Sequence, residues 1–311
     1  MKNYFEGWYC KLVDSTEQNI IAFIPGVAFD KSGDTHAFIQ VFNGKSNDTH
    51  YLKYDISSFQ YSNKKFEVKI GESSFSSEGI SLNIQTDEIS VSGSISFDEL
   101  KPWPVSRISL GAMGWYGLVP FLECYHGVVS FNHQLSGEIA INHKNISFSN
   151  GKGYIEKDWG KSFPKYWIWG QSNHFSDLDV SIMISIANVP FLGRSFDGFI
   201  IGLYYHGKIY RFTTYTGTKI TKLIFLEHNV TIHVENKKYR LEIIAHKSDG
   251  GELISPVSGA MQGRLLESLT STIDVKLIDK KKYPEEVIFS GSGRNAGLEL
   301  GGEIEQFKNI S

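Results

Sequence analysis

Apolar and polar residues alternate along most of this chain with a period of two, the spacing that sends side chains to opposite faces of a β-strand. Near the start, Tyr4, Glu6, Trp8 and Cys10 alternate with Phe5, Gly7, Tyr9 and Lys11. Strand-like runs recur at 20–25, 37–42, 53–57, 66–70, 80–84 and 89–97, separated by turn-forming residues such as those at 30–34. Pro102 and Pro104 break the run, and the glycine- and aromatic-rich residues 111–117 predict an irregular crossing. A strand carrying Glu123 and His126 is expected over 119–130, then a polar-tipped hairpin over 134–148. Further strands are expected at 178–187, 198–205, 208–215, 218–225, 229–234, 239–246, 273–278, 286–290 and 296–303, with His206 and Gly207 as a tight turn. Residues 259–269 are the best helix-like candidate, with Met261, Leu265 and Leu269 at helical spacing. Short strands at hairpin spacing and the lack of a long amphipathic pattern predict an all-β fold of antiparallel meanders.

The densest stretch is 153–173, where charged residues sit between aromatic ones. Alternation places Tyr154, Glu156 and Asp158 on one face of a strand and Ile155, Lys157 and Trp159 on the other. The following strand groups Trp167, Trp169, Gln171 and Asn173 opposite Ile168, Gly170 and Ser172. Carboxyls on one wall, with indoles and amides on another, are the composition of an apolar pocket with a few oriented polar groups. The plainer alternative is that the tryptophans are core and the charges a solvated elbow.

A repeat is faintly visible. Glu6-Gly7-Trp8-Tyr9 and Trp167-Ile168-Trp169-Gly170 each open a long strand-rich half. Two β-barrel or sandwich units side by side follow, residues 1–160 and 161–311, with the elbow at 156–163 near their junction.

Composition narrows the function. The 31 Lys and Arg against 34 Asp and Glu leave a net charge of -3, without the basic surplus of a nucleic-acid binder. No apolar run is long enough to span a bilayer, although a transient contact with a membrane surface stays compatible with the chain. The first residues lack the apolar core of a secretory signal, and there are two cysteines, Cys10 and Cys124; a cytoplasmic protein with reduced thiols is expected. The Asn-x-Ser/Thr matches at Asn47, Asn145 and Asn229 then carry no consequence.

Common catalytic motifs are missing. The ten histidines show no His-x-x-x-His or Cys-x-x-Cys spacing, so no metal site is expected. Residues 291–297 look like a phosphate loop but no helix pattern follows, and Ser195 has no Gly-x-Ser-x-Gly setting. Cys124 and His126 share a strand face without a recognisable third group, which argues against a thiol nucleophile. His126, near Glu123, is either a proton carrier or a satisfied core histidine.

Three blocks carry a resemblance: Tyr4 to Tyr9 (Tyr-Phe-Glu-Gly-Trp-Tyr), 153–171, and 296–302 (Ala-Gly-Leu-Glu-Leu-Gly-Gly). The chain resembles the tocopherol cyclase family over nearly its whole length. It departs from plant members in lacking their long N-terminal extension and in carrying Asp158 where Asn is usual. The resemblance implies a lipocalin-like two-domain fold and cofactor-independent closure of a chromanol ring from a prenylated hydroquinone. Kinship with carotenoid hydratases is implied too.

Such ring closure needs a proton for a trisubstituted alkene, stabilisation of a tertiary cation and loss of the phenolic proton. Asp158 is the first candidate for the acid and Glu156 the second, with His126 as proton carrier. Glu6, Trp8, Glu123, Tyr154, Lys157, Trp159, Trp167, Trp169, Gln171 and Asn173 are candidates to bind the substrate, the indole faces lending support to positive charge. The alternatives are a non-catalytic carrier of a hydrophobic isoprenoid and an isoprenoid hydratase.

Overall fold

Strands that alternate apolar and polar residues bury one face and hydrogen-bond along their edges, and this chain forms little else. The computed structural model describes residues 3–106, 109, 111–120, 122–191, 193–308 and 310. In chain order the strands are β1 (Tyr4–Val13), β2 (Ile20–Phe29), β3 (Thr35–Asn43), β4 (Thr49–Asp55), β5 (Phe59–Tyr61), β6 (Glu67–Ile70), β7 (Ser73–Ser76), β8 (Gly79–Gln85), β9 (Ser90–Asp98), β10 (Cys124–Ile141), β11 (Lys144–Ser147) and β12 (Gly151–Gly160). They continue as β13 (Tyr166–Ser172), β14 (Val180–Phe191), β15 (Arg194–Tyr205), β16 (Lys208–Thr213), β17 (Lys219–Phe225), β18 (Asn229–Glu235), β19 (Tyr239–His246), β20 (Gly251–Val257), β21 (Ala260–Asp279) and β22 (Glu286–Gly302). Helical structure among the described residues is confined to short 3₁₀ pieces at Ile56–Ser58, Gly111–Leu118, Thr214–Thr216 and Ile304–Gln306. No helix of the described residues is long and apolar enough to cross a membrane.

The strands make two antiparallel sheets. One runs β4-β3-β2-β1-β12-β10-β9-β8-β7-β6-β5 with β11 on β10; the other runs β16-β15-β14-β13-β22-β21-β19-β18-β17 with β20 on β21. The plan repeats: a four-strand meander opens each sheet, and the last strand of each returns to pair with the first, β12 with β1 and β22 with β13. By contact, the chain divides into two compact units, Met1–Pro104 with Glu123–Phe163 and Gly251–Leu265, and Val105–Leu122 with Pro164–Gly250 and Leu266–Ser311. A single cut after residue 160 leaves out two excursions, 105–122 belonging with the second unit and 251–265 with the first.

In the first unit, Trp8, Phe23, Ile39, Phe75, Ile95 and Ile155, from strands spread across the whole sheet, meet in one buried cluster, so the sheet curls around its own apolar face. The β20 hairpin is stitched to this unit by Gln40, whose amide donates to the Ile254 carbonyl at 3.0 Å and accepts from the Ile254 N–H at 2.9 Å. The second unit gathers Ile168, Ile184, Ile201, Ile232, Leu241 and Leu298 in the same way.

Residues 259–269 are not helical; they open the strand β21. There Leu265, Glu267, Leu269, Ser271 and Ile273 are buried at every second position, and pairing with β20 and, from Glu267 on, with β22 outweighs a helical spacing too short to nucleate alone. The strand expected over 119–130 begins only at Cys124, and Phe121 lies outside the described residues. The irregular crossing is the kinked 3₁₀ stretch Gly111–Leu118, broken at Gly114, whose φ of 58° and contact with the Tyr215 ring leave no room for a Cβ. The expected hairpin turn at His206 and Gly207 has φ of 46° and 76°, the left-handed pair that matches strand twist.

Candidate active site

Three neighbouring strands of the first sheet, β1, β12 and β10, carry the chemistry. On β12, Tyr154, Glu156 and Asp158 share one face, while Ile155 points into the apolar core. Register sets His126 of β10 opposite Asp158, and Gly7 of β1 opposite Asp158 on its other side. Directly opposed residues lie within side-chain reach.

The His126 ring lies between two carboxyls, its Nδ1 2.9 Å from Asp158 Oδ1 and its Nε2 3.8 Å from Glu156 Oε2. The Tyr154 hydroxyl donates to Glu156 Oε2 at 2.5 Å. Tyr154 is fully buried, and burial first, then the charge of Glu156, holds its hydroxyl far above the ordinary tyrosine range, so it remains a donor. Asp158 is the most open of the three acid-base groups, with 23% of its side chain exposed against 10% for His126 and 5% for Glu156. The bare Gly7 beside it puts no side chain in the way. Asp158 is thus the member most open to a substrate, His126 is less open and Glu156 the deepest.

Ligand atoms of His126, Glu156 and Asp158 lie within 4.8 Å of one another, a spacing that a cation could bridge. Each of the three residues offers one ligand atom, the number of protein ligands in a catalytic zinc site, although none of the common metal-site spacings is present in the sequence.

Lys157 takes the opposite face, as alternation requires. Its Nζ is 2.5 Å from Glu6 Oε1 and lies 4.8 Å and 5.1 Å from the ring centres of Trp8 and Trp159. Trp8 stacks on Phe66, Trp159 stacks on Tyr125, and Tyr4 donates to Glu6. Glu6, Trp8, Lys157 and Trp159 thus form a cation-centred cluster on the core side of the sheet, apart from the His126 group.

Glu123 contributes its backbone carbonyl to the Lys161 and Ser162 amides; burial raises its carboxyl pKa and the Lys161 charge opposes the rise. Cys124 is held as a neutral thiol by burial and by the charges of Asp158, Glu123 and Glu156, which argues against the nucleophile considered above.

The other expected residues belong to the second unit. Trp167 donates its indole N–H to Glu299 Oε2 at 2.7 Å. Trp169 and Gln171 are buried on the β13 face opposite Ile168; Asn173, just past the end of β13, is buried too, and its Oδ1 lies 2.8 Å from His174 Nδ1. The echo of Trp8 in Trp169 holds in letters only, because Trp8 enters its unit's core and Trp169 faces away from its own. Sequence reasoning missed Glu299 and its register partner Glu267. Glu299 was signalled by its place between Leu298 and Leu300, whereas the helical reading of 259–269 hid Glu267.

The molecule is defined so far as a two-unit antiparallel β protein with a buried histidine, carboxyl and tyrosine cluster on the middle strands of one unit. The chain belongs to the tocopherol cyclase-like family, whose model matches residues 90–302. It is 29% identical over 200 residues to "Probable tocopherol cyclase, chloroplastic" of Oryza sativa subsp. japonica, covering 61% of this chain and 42% of that one. It is 28% identical over 208 residues to "Tocopherol cyclase, chloroplastic" of Zea mays, covering 64% and 43%. The matches thus span about two fifths of the length of these relatives. The fold is shared with the crystal structure of CghA, at a TM-score of 0.59 and 9% identity over 97% of this chain and 89% of that one. It is shared also with kievitone hydratase from Nectria haematococca, at a TM-score of 0.51 and 12% identity over 96% and 89%.

Proposed function

We propose that this protein is an enzyme that closes a chromanol-type ring in a prenylated hydroquinone, or a related isoprenoid phenol, by acid catalysis. The observation that carries the reading is His126 held between Asp158 and Glu156 in a buried setting.

The reaction is an isomerisation and its protons balance. Asp158, the open member, gives its proton to the less substituted alkene carbon; a C–H bond forms from the π pair and a tertiary cation results. The phenolic oxygen closes on that cation, making the C–O bond, and the phenolic proton leaves. His126 receives it and returns it to Asp158 through the Nδ1 contact. Glu156 lies 3.8 Å from the far side of the ring, and the Tyr154 hydroxyl holds the Glu156 carboxyl in place. No electrons are transferred.

Family membership and the names of the plant relatives support a prenylquinol as substrate. We place the protein in the cytoplasm, on its two unpaired cysteines. The test is incubation of purified protein with a prenylated hydroquinone, followed by mass spectrometry. A product of unchanged mass that has lost one free hydroxyl supports the reading. A gain of one water makes the protein a hydratase, and tight binding without any product makes it a carrier.

A further inference from the structure

Large apolar side chains stand exposed at several turns of this protein, and taken singly such residues are ordinary. One group in the second unit is not scattered. Trp115 and Leu118, on the 3₁₀ stretch Gly111–Leu118, are 50% and 59% exposed, and Phe191, at the tip of the β14–β15 hairpin, is 42% exposed.

Aromatic contacts hold the two segments together. The Tyr116 ring lies 4.2 Å from that of Trp115, 6.2 Å from that of Phe196 and 6.1 Å from that of Tyr215, whose hydroxyl donates to the Ala112 carbonyl at 2.8 Å. Register pairs Val189 with Phe196 and Phe191 with Arg194, so these four share one hairpin face, with Phe191 diagonal to Phe196. Phe196 thus carries the apolar surface from Tyr116 and Trp115 out to Phe191 at the tip.

Charge along both segments has one sign. The sequence from 102 to 122 holds a single charged residue, Arg107, and that from 180 to 196 a single one, Arg194, which is exposed beside Phe191. The next acid along the hairpin, Asp197, takes a hydrogen bond from the Tyr166 hydroxyl at 3.0 Å. Indole and phenyl rings beside a tyrosine, fringed by arginine and without a carboxylate, are the composition of a surface that lies in the headgroup layer of an anionic bilayer. A prenylated phenol partitions into the same bilayer, so the choice of a lipid surface over a protein partner rests on the functional reading above.

We propose that Trp115, Leu118 and Phe191, with Arg194 at their margin, dock the second unit on an anionic lipid bilayer.

The experiment is flotation of the full chain with vesicles of equimolar phosphatidylcholine and phosphatidylglycerol, and with vesicles of phosphatidylcholine alone. The parent is expected to float with the mixed vesicles and more weakly with the neutral ones. Trp115→Ser and Phe191→Ser, on separate segments, are each expected to lose at least about tenfold in affinity for the mixed vesicles, as withdrawal of one large apolar side chain predicts. Arg194→Gln is expected to lose about fivefold on the mixed vesicles and nothing on the neutral ones. Leu226→Ser, which removes another exposed apolar side chain of the same unit, should change nothing. All these variants should melt close to the parent, because the replaced side chains are exposed; should Trp115→Ser melt early, Leu118→Ser carries the same expectation. No flotation by the parent, an equal loss in Leu226→Ser, or unchanged affinity in either Trp115→Ser or Phe191→Ser overturns the proposal. So does a dimer in sedimentation velocity that Phe191→Ser abolishes, which would give the surface to a second copy of this chain. Vesicle binding needs no turnover: flotation without ring closure leaves the bilayer surface standing and removes the functional reading, and ring closure without flotation does the reverse.

Discussion

His126 Nδ1 stands 2.9 Å from Asp158 Oδ1 across the β10 and β12 pair, at a position where the two residues are direct register partners. A one-residue slip would send one of them to the core side of the sheet, so the contact depends on β10 holding register despite its irregularities beyond Val128.

Asp158→Asn keeps the shape of the side chain and removes its proton. Formation of the equal-mass product should fall by about 10²- to 10⁴-fold, the usual range for losing a general acid, with circular dichroism and melting little changed. Unchanged turnover in this variant would hand the acid role to Glu156.

Tyr154→Phe deletes the hydroxyl that donates to the buried Glu156 carboxyl. A hydrogen bond to a charged group contributes about 1.5–3 kcal/mol. The denaturation midpoint should drop accordingly. A variant as stable as the parent would show that Tyr154 does not hold Glu156.

His133 gives the stability a pH dependence. It is 1% exposed, its ring lies 4.5 Å from Phe97, and burial lowers its pKa from 6.5 to about 3. Between those values the unfolded chain binds a proton that the folded one refuses, so stability falls as pH drops from 6.5 toward 3. The loss from this group is roughly 4–5 kcal/mol at the lower end. Urea titrations at pH 7 and pH 4 should show it, and His133→Gln should flatten the difference.

Gly153→Ala tests the packing around the same histidine. A Cβ there would sit 2.1 Å from His133 Nε2, against a ring confined by Phe97. A destabilisation of about 1–3 kcal/mol is expected by denaturant titration. In Gly153→Ala combined with a smaller residue at 133, much of that loss should disappear.

Both thiols should resist alkylation in the folded protein. Burial pushes Cys10 and Cys124 up, and Cys124 also feels Asp158, Glu123 and Glu156. Iodoacetamide at pH 8 should label neither until denaturant is added; rapid labelling of Cys124 in the native protein would put a thiolate back among the catalytic candidates.

Period-two alternation determined the all-β fold, the faces of β12 and β13, and the tight turn at His206, because these depend on neighbours in the chain. It also separated Lys157 from Glu156 and Asp158, since a strand leaves adjacent residues no choice of side. Residues 259–269 were misread because helical spacing and strand alternation coincide over so short a run, and only pairing with β20 and β22 resolves them. The His126 contact was equally out of reach: 32 residues separate it from Asp158, and a hairpin excursion and a set of bulges decide which positions meet. Local pattern can say which side of a strand a residue takes. Which residue of another strand stands beside it is decided by register, and register is a property of the closed sheet.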